Sequence, residues 1–143
     1  MKITSLIILF SFYALSMKAQ KDTVVVKDIV YAETEGKKLQ LYIYKLKEQT
    51  EPYLIVWIHG GAWHSGSKEK PPLGMLEHGY ALASVDFRAS TEKAFPGPVH
   101  DIKASIRFLR ANAAKYGYKA DKIIIWGASS GGHLAALVAT TNN

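Results

Sequence analysis

Short apolar runs alternate with amphipathic stretches along the chain, and the two patterns predict different elements. Val24 to Val26 and Ile29 to Tyr31 are β-prone, and Leu39-Gln40-Leu41-Tyr42-Ile43-Tyr44 follows with near alternation of apolar and polar positions. The turn cluster Glu35-Gly36-Lys37-Lys38 between them predicts an antiparallel pair at the start of a sheet. Three later runs, Tyr53 to Ile58, Tyr80 to Val85 and Ile123 to Trp126, are apolar without alternation. Strands apolar on both faces suit a parallel sheet covered by helices on each side.

Helical periodicity lies between these runs. Val99, Ile102, Ile106, Leu109, Ala113 and Tyr116 recur at spacings of 3 and 4, which predicts one helix over Pro98 to Tyr116. Lys103, Arg107 and Arg110 fall on another face of it. Pro98 suits the first turn, Asp101 is expected as a charge the helix dipole favours there, and Gly117 supplies the stop. A weaker helix is expected over Pro72 to His78, and another from about Gly131 through Leu134, Leu137 and Val138. The order strand-helix-strand-helix-strand-helix implies an α/β sheet with right-handed crossovers.

Composition narrows the classes. The chain has 143 residues, 48% hydrophobic and 21% charged, which is ordinary for a globular protein and excludes low-complexity classes. The absence of cysteine excludes a disulfide-stapled mini-domain and a thiolate metal site. Met1-Lys2 followed by the 15 uncharged residues Ile3 to Met17, with Ala19 before Gln20, predicts a secretory signal peptide over 1–19. That apolar stretch is too short for a stable membrane span, so the expected location is secreted or periplasmic. The remaining domain, 20–143, has 124 residues, and losing Lys2 and Lys18 lowers the net charge from +6 to +4. The basic residues are scattered, so no nucleic-acid partner is expected.

Two glycine-rich segments carry candidate chemistry. Gly127-Ala128-Ser129-Ser130-Gly131 matches G-x-S-x-G, directly after an apolar strand and directly before a helix. A sharp strand-to-helix turn of that kind strains the central serine, needs small residues two before and two after it, and lifts the hydroxyl above the sheet edge. Ser129 is the candidate nucleophile. Ser130, flanked by Ala128 and Gly132, competes less well because Ser129 has glycine at both flanking positions. His59-Gly60-Gly61-Ala62-Trp63 follows an earlier strand, and its glycines let backbone N–H groups approach an oxyanion. Gly60 and Gly61, with the N–H of Ser130 after the nucleophile, are the candidate oxyanion donors. A glycine-rich helix cap and a simple turn are the bland alternatives.

The other polar residues invite structural readings. His59 is expected to hold its loop by hydrogen bonding, and His64 and His78 have no partner at metal spacing, so neither metal nor cofactor is expected. His133 lies one helical turn beyond Ser129, on the side away from an elbow hydroxyl, and is not expected to be a base. Asp86 is expected as a strand-end hydrogen-bonding group. Trp63 suits either a pocket wall or packing.

These two segments, with Asp86-Phe87-Arg88-Ala89-Ser90 and Phe95-Pro96 followed by Asp101, resemble the N-terminal half of an α/β-hydrolase. The branch it resembles is the esterase/lipase group with an HGG oxyanion loop, including hormone-sensitive-lipase-like and bacterial feruloyl and acetyl-xylan esterase-like enzymes. The resemblance implies a mostly parallel sheet flanked by helices, a Ser-His-Asp mechanism, and small-molecule or polysaccharide-linked carboxylic esters as substrates. It also implies an acid and then a histidine after the serine. After Ser129 there is no Asp or Glu, and the one histidine is His133. The expectation is therefore a partial or truncated chain, inactive alone, with the strand carrying Ser129 at or near an open edge. The alternatives are a non-catalytic α/β binding module, or an amide-cleaving peptidase or arylformamidase of the same fold.

Overall fold

A computed structural model describes residues 22–141. The signal-peptide expectation over residues 1–19 lies outside the described residues. Among the described residues, no helix is long and apolar enough to cross a membrane.

Five strands form one sheet in the order β1-β2-β4-β3-β5. β1 (Thr23–Thr34) and β2 (Lys37–Leu46) are the expected antiparallel hairpin. Glu35 and Gly36 turn it with φ of 51° and 76°, the left-handed pair whose twist matches that of a two-residue hairpin. β2 pairs antiparallel with β4 (Tyr80–Val85), and β4 pairs parallel with β3 (Tyr53–Ile58). On its other side β3 pairs parallel with β5 (Lys119–Gly127).

Both faces of the central strands are covered, which is why their sequences do not alternate. Leu41 and Ile43, Leu54, Val56 and Ile58, and Ala83 and Val85 share one face. That face packs against α1 (Gly97–Ala111) and α3 (Ser130–Thr140) through Val99, Ile102, Leu109 and Leu134. The other face places Tyr42, Tyr44, Trp57 and Leu82 over Leu76 of a short segment, Leu73–His78. That segment is a 3-10 turn of helix, ended by Gly79 at φ 90°.

β5 occupies the sheet edge, as expected for the strand leading to Ser129. Its side chains do alternate: Ile123 and Ile125 lean on the α1/α3 core, while Ile124 and Trp126 are 43% and 38% exposed. The Trp126 ring meets Trp57 edge-on at 4.7 Å.

Two helix expectations are corrected. The single helix over Pro98 to Tyr116 is broken at Asn112, and a separate turn, α2 (Ala113–Tyr116), follows. The Asn112 side chain donates to the Phe108 carbonyl at 2.9 Å, a local bond that competes with helix continuation. Asp101 is not a first-turn charge; no acidic residue occupies the first turn of α1. It is buried and paired with Arg88, accepting from Nε at 2.9 Å, Nη2 at 2.7 Å and the backbone N–H at 3.0 Å. A planar guanidinium matches a carboxylate in two places, and this outweighs a helix-end interaction.

Candidate active site

The turn between β5 and α3 fixes the position of Ser129. Its backbone lies at φ 52°, ψ −124°, a region that non-glycine residues occupy only when the surroundings impose it. The neighbours show what imposes it. A side chain on Gly127 would meet the Gly131 backbone at 2.4 Å, and one on Gly131 would meet the Ile58 carbonyl oxygen at 2.2 Å. The turn therefore closes only with glycine on both sides, and the Ser129 side chain is left exposed. Ser130, the first residue of α3, is only 4% exposed, so the two serines are clearly separated in accessibility.

The loop after β3 lies against this turn. A methyl group on Gly60 would sit 2.9 Å from the Ala128 carbonyl oxygen and 3.3 Å from Ser129 Cβ. Gly61 bends at φ 129°, and its carbonyl accepts the His64 N–H at 3.1 Å, the Ser65 N–H at 3.0 Å and the Ser65 hydroxyl at 3.0 Å. Ala62 and Trp63 then run with φ of 51° and 64°. The Trp63 carbonyl is held by the Ser90 N–H at 2.8 Å. Among the described residues, Gly60, Gly61 and Ser130 donate none of the loop and cap backbone hydrogen bonds. His59 sits under the loop, with Nδ1 2.8 Å from the Gly60 carbonyl and its ring stacked on Phe87 at 4.5 Å.

Polar groups behind the loop tie it to the sheet. Asp86, at the end of β4, accepts the Lys68 N–H at 2.9 Å and the Lys68 ammonium at 2.7 Å. The Ser84 hydroxyl donates to the Lys68 carbonyl at 2.9 Å. Burial pushes the Tyr31 phenol well above its ordinary range, and its hydroxyl donates to the Asp86 carbonyl at 2.6 Å. A second set anchors residues 88–97 to the hairpin turn. The Lys93 ammonium, hydrogen-bonded to Glu35, holds that carboxyl below its usual range. Lys37 does the same for Glu92, helped by the Ala89 N–H.

A cavity of about 270 Å³ opens beside the turn, lined by Trp63, Ser90, Phe95, Pro98, His133 and Leu134. The Trp63 indole N–H donates to His133 Nδ1 at 3.3 Å, and the two rings meet edge-on. The His133 backbone N–H bonds to the Ser129 carbonyl at 3.2 Å. This pairing and the Arg88–Asp101 pair were not foreseen from the sequence. Each joins residues on different elements, and neither side chain carries a local signal of its partner.

Comparison with known proteins gives a consistent picture. The BD-FAE family model matches residues 39–143. The chain is 36% identical to an arylesterase of Saccharolobus solfataricus over 71% of its own length and 35% of the relative's. A truncated carbohydrate esterase from gut microbiota superposes with a TM-score of 0.68 at 36% identity, covering 79% of this chain and 42% of that one. Esterase B from Lactobacillus rhamnosis superposes with a TM-score of 0.75 at 26% identity, covering 84% and 40%. The sheet and its flanking helices are those of an α/β-hydrolase. The chain spans between 22% and 35% of the length of the curated relatives it matches.

Proposed function

Because this chain belongs to the BD-FAE family of α/β-hydrolase esterases, we propose that it carries the nucleophile and oxyanion side of a carboxylic-ester hydrolase. The observation that carries this reading is the backbone of Ser129, held at φ 52° between a strand and a helix with Gly60 pressed against it. In the reaction, Ser129 Oγ attacks the ester carbonyl carbon while its proton passes to a histidine. The backbone N–H groups of Gly60, Gly61 and Ser130 stabilise the resulting oxyanion, helped by the start of α3. The tetrahedral intermediate collapses, the histidine returns that proton to the leaving oxygen, the neutral alcohol departs, and water then releases the acid from the acyl-serine.

The acid and the histidine of the triad come, in this reading, from sequence outside the 143 residues. Two observations support that: the fraction of its relatives that the chain spans, and the apolar side chains on the β5 edge. The basic and uncharged pattern of residues 1–19 supports export, with the active protein outside the cytoplasm. N-terminal sequencing of the mature protein tests it; a protein that keeps Met1 and stays in the cytoplasm overturns it.

The experiment for the activity is labelling with a fluorophosphonate, followed by peptide mapping, on the product of the gene read through codon 143. The expected result is one label, on Ser129, together with hydrolysis of p-nitrophenyl acetate and none of dipeptide amides. A label on Ser130, or no label with the protein folded, overturns the reading and leaves a non-catalytic binding module. Cleavage of the amides moves it to the peptidase alternative.

A further inference from the structure

The cavity at the start of α3 has one side-chain to side-chain hydrogen bond within its wall, beside the backbone bond from the Ser90 N–H to the Trp63 carbonyl. Trp63 and His133 come from different elements, the loop after β3 and the second turn of α3, and they meet through the indole N–H and imidazole Nδ1 at 3.3 Å. An indole nitrogen only donates, so the bond exists only when Nδ1 carries a lone pair. That sets the imidazole as the neutral tautomer with its proton on Nε2. Protonation would place two donors face to face, and the contact would become repulsive.

The indole needs such a hold. Trp63 is 43% exposed and stands on a backbone at φ 64°, next to Ala62 at φ 51°. Its carbonyl is fixed by the Ser90 N–H, but its ring direction is fixed by His133. The other lining residues are Ser90, Phe95, Pro98 and Leu134. None of these is charged, so the imidazole is the titratable group of the wall. A volume of about 270 Å³ exceeds the roughly 150 Å³ of an apolar cavity known to accept benzene.

We propose that His133 is the positioning residue of Trp63: neutral Nδ1 holds the indole as one wall of an apolar subsite that takes a flat, uncharged ring of an ester substrate. When the imidazole is protonated, the wall is released and the subsite weakens. That the ring belongs to an ester substrate rests on the ester-hydrolase reading of Ser129, whereas the hydrogen bond and the subsite do not.

The test needs no turnover. The Trp63 indole N–H resonance, identified by its loss in Trp63→Phe, is followed by heteronuclear NMR from about pH 5 to about pH 8. It is expected to differ between the acid and the neutral ends of that range in the histidine protein. In His133→Asn, whose side-chain oxygen accepts the same bond at every pH, the shift is expected to vanish. Phenyl acetate, added to Ser129→Ala to prevent hydrolysis, is expected to bind roughly fivefold more weakly at the acid end in the histidine protein. The His133→Asn form of that protein should bind it equally at both ends, and His133→Phe weakly at both. An indole signal indifferent to pH, a titration that persists in His133→Asn, or phenyl acetate binding that ignores both pH and residue 133 overturns the proposal. Absence of esterase activity in the protein that keeps Ser129, with these signals intact, would instead count against the reading of Ser129.

Discussion

A methyl group placed on Gly60 would stand 3.3 Å from the Cβ of Ser129 and 2.9 Å from the carbonyl oxygen before it. The loop after the third strand and the turn after the fifth are in contact through backbone alone. Gly60→Ala is expected to push the two apart by a few tenths of an ångström. Misplacement near a reacting centre is costly, so the rate of fluorophosphonate labelling at Ser129 should fall on the order of 100-fold. The unfolding midpoint should barely move. Equal labelling in the variant would show that this contact does not set the geometry of the nucleophile.

Gly131→Ala should behave in the opposite way. Its added carbon would lie 2.2 Å from the Ile58 carbonyl oxygen, inside the sheet-to-helix junction, with no flexible side chain to yield. Overpacking of that kind costs about 1–3 kcal/mol. Urea denaturation should show a loss at the upper end of that range.

The Arg88–Asp101 pair predicts a large stability effect remote from Ser129. Both side chains are buried, with relative exposures of 8% and 4%. Asp101→Ala strands the guanidinium with only the exposed Glu35 as a charged partner, at 3.3 Å. Removing one member of a buried pair typically costs about 3 kcal/mol or more. Thermal unfolding should show a fall much greater than that of Arg107→Ala at an exposed position of the same helix.

Acid should loosen the segment 88–97 before it unfolds the core. Glu35 and Glu92 both have their carboxyls lowered from an ordinary value of 4.5, by the hydrogen bonds from Lys93 and Lys37. A lowered carboxyl contributes stability that is present above the unfolded-state value and lost as pH falls through the lower, folded-state one. The expected outcome is lower amide protection, relative to the intrinsic exchange rate, at residues 89–95 as pH drops below 4.5, with a flatter response in Glu35→Gln and Glu92→Gln.

For the 143 residues expressed alone, the exposed edge of β5 predicts self-association. Ile124 and Trp126 project from a strand whose outer backbone edge has no neighbour in the sheet among the described residues. Natural sheets block such edges with charge, lysine above all. Ile124→Lys is expected to shift sedimentation profiles toward monomer while leaving thermal stability within about 0.5 kcal/mol.

What was legible in the sequence was whatever one segment requires of itself. The apolar runs of β3 and β4 announced strands covered on both faces, and Gly127 and Gly131 announced the turn because a side chain at either position meets backbone. The edge position of β5 was expected only through the family resemblance, whose later strands are not among these residues. Asn112 was missed because its helix-breaking bond competes within a pattern that otherwise continues through Ala113 and Tyr116. Asp101 was misplaced because its partner Arg88 lies in a loop 13 residues earlier, and spacing along a helix says nothing about a loop. The meeting of Trp63 with His133, 70 residues apart, depends on how β3 and β5 lie side by side. No local pattern encodes that distance.

The strand order has a consequence during synthesis. β3 sits between β4 and β5, yet β5 is made only after β4, α1 and α2 have been completed. At roughly 5–20 residues per second, several seconds separate the appearance of Ile58 from that of Gly127. Throughout that interval one side of β3 has no partner, and the turn that strains Ser129 has nothing to close against. The nascent chain therefore passes through a stage with a raw apolar edge at its centre, and the nucleophile takes shape only when that edge is sealed.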